Sequence, residues 1–114
     1  SGSLTEIPIR FYRPHYVDVA VKVSIKTLTG YTDATASQIK ANIYDYINGL
    51  AIGETLYAPN LNGPILSALN GQPSFYVTGL AASKKDGEPA EVIAIAQIEA
   101  AQIAVEDITI EVVT

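Results

Sequence analysis

A catalytic site needs a nucleophile, a base and a group that orients the base, and the base is the scarcest of these in this chain. Its one histidine, His15, follows Pro14 and has Asp18 as its nearest carboxylate in the sequence. With nothing to tie it to a serine, the expected role is a solvated imidazole in a connecting segment. Carboxylates gather at Asp86, Glu88 and Glu91, and again at Glu106, Asp107 and Glu111. A divalent cation needs several converging oxygens, and the first group lacks the D-x-D-x-D-G spacing that wraps Ca²⁺, so it reads as turn charge. The second group reads as charge that guards a sheet edge against unwanted pairing. The absence of cysteine removes disulfides, thiolate metal sites, iron–sulfur clusters and thiol nucleophiles together. Glycines occur as Asn48-Gly49, Ile52-Gly53 and Asn62-Gly63-Pro64, which are turn contexts and not phosphate-cradling loops. No catalytic residue, metal site or cofactor is expected, and the chain does not read as an enzyme.

Contact chemistry is better represented. Seven tyrosines stand against two phenylalanines and no tryptophan, and tyrosine joins a large apolar ring to a polar tip that suits protein interfaces. Tyr44 and Tyr46 fall on the flank of a predicted helix, and Tyr12, Tyr16 and Tyr57 around the start of a sheet. With Phe11 they form the candidate interface set. Arg10 and Arg13 flank Phe11 and Tyr12, the one place where rings and guanidiniums interleave as in single-strand binders. The formal charge of −5 gives an average field that repels phosphate backbones, so no nucleic-acid partner is expected.

These residues must be held by elements that the periodicity outlines. From Tyr16 to Leu28 the chain alternates, with Val17, Val19, Val21, Val23 and Ile25 on one face and Asp18, Ala20, Lys22, Ser24 and Lys26 on the other. Such alternation predicts a strand covered on one side. Between Asp33 and Leu50 the spacing of Ala36, Ile39, Ile43, Ile47 and Leu50 predicts an amphipathic helix, capped by Thr32 or Asp33 and ended by a left-handed Gly49. Glu54–Tyr57 fits a short edge strand. Asn60 or Asn62 is the expected cap of a second helix carrying Leu61, Ile65 and Leu69. Ser74–Ala82 and the alternation of Ile108, Ile110 and Val112 predict two further strands. Lys84–Pro89 reads as an exposed loop. The alanine-rich stretch from Val92 to Val105 fits either a strand followed by a one-turn helix or an extended arm.

The whole predicts an α+β domain, a small sheet with two helices on one face in the manner of a ferredoxin-like sandwich. At 114 residues one core is affordable without staples. Residues 16–114 form the expected single domain, 4–15 a connecting segment, and Ser1-Gly2-Ser3 a remnant of tag removal. With no methionine in the chain, a fragment of a longer protein is expected. No apolar run reaches the roughly 18 residues that cross a bilayer, so no membrane insertion is expected.

Element order and wording together resemble a known family. They are Arg13-Pro14 leading into the strand Val17–Ile25, the helix end Tyr46-Ile47-Asn48-Gly49-Leu50, Gly53-Glu54-Thr55-Leu56-Tyr57, the helix Leu61–Leu69, the strand introduced by Pro73, and the closing Ile108–Val113. The chain from about Arg13 onward resembles the C-terminal region of baseplate J-like proteins of contractile-tailed phages. Where that family tends to have Pro-Gly-Val, this chain has Pro73-Ser74-Phe75. The resemblance implies a structural assembly domain without cofactor, located in the virion tail baseplate after assembly in the host bacterial cytoplasm. Its partners would be other baseplate or tail proteins and further copies of itself. The alternative expectation is a regulatory module that binds a small molecule, as many ferredoxin-like sandwiches do.

Overall fold

The structure is a computed structural model, and it describes residues 15–69, 71, 73–85, 87–95 and 99–113. The tag-like residues, the segment 4–14 and with it Phe11 and Tyr12 lie outside the described residues.

The strongest alternation in the sequence becomes the central strand. β1, His15–Thr27, buries Val19, Val21, Val23 and Ile25 and turns Asp18, Lys22 and Lys26 to solvent. On one side it pairs antiparallel with β3, Phe75–Lys84, with a register shift opposite Ser24/Ile25. On the other side its neighbour comes in two pieces, both parallel to it. β5, Glu99–Gln102, lies beside His15–Asp18, and β6, Ile108–Val113, lies beside Val21–Lys26. Between these pieces β1 advances three residues, Asp18 to Val21, while its neighbour advances six, Gln102 to Ile108. The surplus is folded into one 3₁₀ turn, Val105–Asp107. In place of one strand, the described part of 92–105 holds two short ones, Val92–Ile93 and Glu99–Gln102, and the 3₁₀ turn begins only at Val105.

α1, Asp33–Asn48, lays Ile39, Ile43 and Ile47 into the core, all fully buried. Its first turn is tied by the Thr32 N–H donating to Thr35 Oγ1 at 3.2 Å. Gly49 ends it without the expected left-handed turn, at φ −90° and ψ −4°. Glycine is needed there for space, since a Cβ would stand 2.9 Å from the Asp45 carbonyl oxygen. The two-residue β2, Leu56–Tyr57, joins no part of the main sheet and pairs instead with β4, Val92–Ile93. A 3₁₀ turn, Ala58–Leu61, then runs straight into α2, Asn62–Ser67. Neither Asn60 nor Asn62 caps α2, because the chain arrives already helical and Leu61 holds the cap position in helical geometry. The helices are joined by Asn42, whose amide donates to the Pro64 carbonyl at 2.9 Å and accepts from Gln38 at 2.7 Å.

One core cluster takes in the inward face of β1, the inner residues of both helices, Leu56, Leu61, Phe75 and Ile108. This is the α+β arrangement of a small mixed sheet covered by helices on one face. Strand order is where it departs from a ferredoxin-like sandwich. In that split βαβ arrangement neighbouring strands run antiparallel, whereas here β1 is antiparallel to β3 but parallel to β5 and β6. The parallel partners of β1 are the last two strands of the chain.

Two local features make measurable claims. The side chain of Asn48 imitates a strand: its Oδ1 accepts from the Ile103 N–H at 3.0 Å and its Nδ2 donates to the Ile103 carbonyl at 3.2 Å. Asn48→Ala leaves both backbone groups without that partner, and a loss of about 1–2 kcal/mol is expected in chemical denaturation. Asn48→Asp keeps only the acceptor, so it should fall between wild type and Ala. Tyr31 packs edge-on against Phe75, with ring centroids 6.4 Å apart. Burial, helped by the Asp33 charge, raises its phenol above the ordinary value of 10.0. Below that pH the phenol is protonated in both folded and unfolded chains and its contribution is whole. Above it the unfolded chain releases the proton first, so stability falls as pH climbs toward the raised folded value. Tyr31→Phe is expected to flatten that part of the unfolding free energy, measured between about pH 9 and pH 11.

Candidate functional site

Among the described residues the two most exposed large apolar side chains, Tyr16 and Ile52, stand where β5 meets the end of α1. After α1 the chain makes a tight turn that locks itself: the Ala51 N–H donates to Glu54 Oε1 at 2.8 Å, and the Glu54 N–H to the Ala51 carbonyl at 3.0 Å. Gly53 takes a left-handed conformation there, at φ 80°. Its N–H then donates 2.7 Å to the Glu99 carbonyl, clamping the turn on the outer side of β5. The clamp fixes Ile52 at the turn with 55% of its surface exposed, and Tyr16 of the neighbouring β1 is 60% exposed. Between them lies a cleft of about 370 Å³, walled by Tyr16, Leu50, Ile52 and Ala100 with the polar groups of Asn48 and Gln102.

A second cleft, of about 420 Å³, shares Gln102 and continues along the 3₁₀ turn past Tyr44, Asp18, Lys85 and Val105. Four of its polar groups are engaged in pairs. Gln102 donates to Asp18 at 2.5 Å, and the Lys85 ammonium stands 3.5 Å from Asp107. In the first cleft Asn48 is bound to Ile103. Beside these bound groups the surface offers the rings and aliphatic carbon of Tyr16, Tyr44, Leu50, Ile52 and Val105 together with the exposed carboxylate of Glu106.

Of the candidate interface residues, Tyr16 and Tyr44 line these adjoining clefts. Tyr57 lies elsewhere, beside Val92 in the two-stranded sheet, where both are about half exposed. Tyr46 is partly buried and packs against the core, so it closes the core margin and offers little to a partner. Phe11 and Tyr12 lie outside the described residues. The aliphatic members Ile52, Val92 and Val105 were not foreseen. An isoleucine followed by glycine in a turn was the one local signal for Ile52, since turns seldom spend large apolar residues without a use.

His15 is the first residue of β1 and exposed, and not part of a connecting segment. Glu111 stands on the outer strand β6. Its carboxylate accepts from Ser24 Oγ at 3.1 Å and meets the Lys22 ammonium at 3.4 Å across the sheet's open face. Asp107 is held by Lys85 in the same way. Among the described residues no three acidic or imidazole side chains are grouped as a metal site, and no helix is long and apolar enough to cross a membrane. No protein-family model matches the chain, and no curated protein matches its sequence.

Proposed function

We propose that the chain is an assembly domain that docks neighbouring protein subunits, of the kind found in the baseplate of a contractile tail. The observation that carries this reading is the Tyr16–Ile52 cleft: two large apolar side chains, both more than half exposed, are held by backbone clamps beside a strand. Rigidly displayed aromatic and aliphatic groups around a concavity are what interface anchors require. The resemblance of element order to baseplate J-like proteins supplies the setting. The alternative of a small-molecule module has clefts of ligand size, but it needs convergent free polar groups. Here Gln102, Asn48 and Lys85 are bound to Asp18, Ile103 and Asp107 instead.

The test uses the full-length parent protein carrying Tyr16→Ser with Ile52→Asp. Both positions are exposed, so the melting temperature of the isolated chain should change little. Copurification of the parent with sheath, tube or baseplate neighbours should fall at least tenfold. If the unaltered parent never enters tail particles, the setting is wrong. If the double variant assembles as well as wild type, the cleft is not the docking surface.

A further inference from the structure

The sheet has three outer edges, and two are closed by identifiable devices. β3 carries the register shift, and its far half is bridged by the Ala90 N–H donating to the Ala82 carbonyl at 2.8 Å. β5 is covered by Gly53 on Glu99, with the Asn48 amide on Ile103 just beyond its end. Bulges and covering loops are the usual means by which a sheet edge avoids pairing with another chain. β6 has none of them. Among the described residues it pairs only with β1, and its sequence from Ile108 to Val113 contains no proline, glycine or lysine.

The apolar layer also runs out unfinished at this edge. Ile25 and Val112 are register partners on the same face of the sheet, yet Ile25 is fully buried and Val112 is 47% exposed. The groups left over are a strand's row of N–H and C=O and a strip of β-branched carbon, and the chemistry that satisfies both is another extended strand of similar pattern.

We propose that β6 pairs antiparallel with β6 of a second copy of this chain across a two-fold axis, making one continuous sheet. The register follows from face and charge. A shift by one residue would set buried faces against wet ones. Centring the pair on Glu111 would place two carboxylates directly opposite, which is unfavourable. Centring it on Ile110 sets Val112 against Ile108 of the second copy and Glu111 against Thr109 of the second copy. Thr109 lies in register with Lys22, the cation that already holds Glu111 at 3.4 Å, so each carboxylate approaches a second ammonium instead of its own copy. A six-residue edge buries less than the ~1,600 Å² of a standard interface, so the association is weak and concentration-dependent. This inference rests on the β6 edge alone and does not depend on the docking role of the Tyr16–Ile52 cleft.

Sedimentation equilibrium from about 10 μM to about 1 mM should show a monomer–dimer equilibrium. Val112→Lys places a charge in the new seam at a half-exposed position and should weaken the dimer at least tenfold with little change in melting temperature. Thr109→Glu lies beside Lys22 within the chain but opposite Glu111 of the second copy, so it should also weaken the dimer while the fold is kept. The chain has no cysteine, which permits a direct reading of register. Ile110→Cys, opposite itself across the axis, should cross-link under mild oxidation, and Val113→Cys, roughly 20 Å from its own copy at ~3.3 Å per residue, should not. A chain that stays monomeric up to the highest concentration overturns the proposal. So does a dimer that survives Val112→Lys, or one in which Val113→Cys cross-links and Ile110→Cys does not.

Discussion

One-sided burial of β1 is the constraint on which the rest depends. Val19, Val21, Val23 and Ile25 are almost wholly withdrawn from water while Lys22 and Lys26 between them remain exposed. A slip of one residue would send lysines into the core and valines to solvent, so the strand has a single tenable register. Everything packed on it inherits that choice. Phe75 and Ile108 must arrive on the same face as the valines. Ile39, Ile43 and Ile47 must recur at helical spacing to cover them. Burial of each such side chain contributes about 1.5–3 kcal/mol, which is how the layer holds without disulfides.

The strand is longer than either piece of its parallel neighbour, and that mismatch generates the Tyr16–Ile52 cleft. A neighbour running unbroken beside β1 would leave no room for a cleft. The three surplus residues instead bow outward between β5 and β6, and the bow has to be anchored because it breaks the ladder of backbone bonds. Asn48 supplies the anchor from the last turn of α1, and Gly53 supplies a second on β5 a few residues later. The anchors stand at the last residue of α1 and in the turn that follows it, so the stretch between them is drawn against the sheet, carrying Leu50 and Ile52 with it. The cleft is thus a by-product of how one interrupted strand is pinned.

Legibility in the sequence followed the range of the interactions involved. β1, α1 and β6 announce themselves because each carries its burial pattern in its own residues, period two or period three-to-four. β5 does not. Glu99-Ala-Ala-Gln102 has no β-branched residue and lies as a strand only because His15–Asp18, more than eighty positions away in the chain, offers it a ladder. Its alanines are legible in retrospect: Ala100 and Ala101 are buried where the α1 end and its following turn close over the strand, and larger side chains would hold them apart. The expected caps at Asn60 and Asn62 failed for a similar reason, since the preceding 3₁₀ turn removes the extended residue that a capping side chain needs. The glycine at position 49 was read correctly as a helix end but for the wrong cause, because a steric contact with Asp45 and a left-handed turn leave the same mark in sequence. Tyr16 and Tyr44 could be named as interface candidates from composition, but their adjacency could not, because it depends on the long-range pairing of β5.

The distribution of polar groups bears on what this surface is for. An active site keeps polar side chains underused, so that substrate or transition state can engage them. Around these clefts the opposite holds: the carboxylate of Asp18, the amides of Asn48 and Gln102 and the ammonium of Lys85 are committed to holding β5 and the 3₁₀ turn in place. At the surface these leave the rings and aliphatic chains of Tyr16, Tyr44, Ile52 and Val105 and, in the second cleft, the exposed carboxylate of Glu106. For the proposed docking role this means that most of the polar atoms here need no new partners when water leaves. The bonded polar groups are in that sense structural, since the side chains of Asp18, Asn48, Gln102 and Lys85 maintain the shape of β5 and of the 3₁₀ turn on which the proposed contact rests.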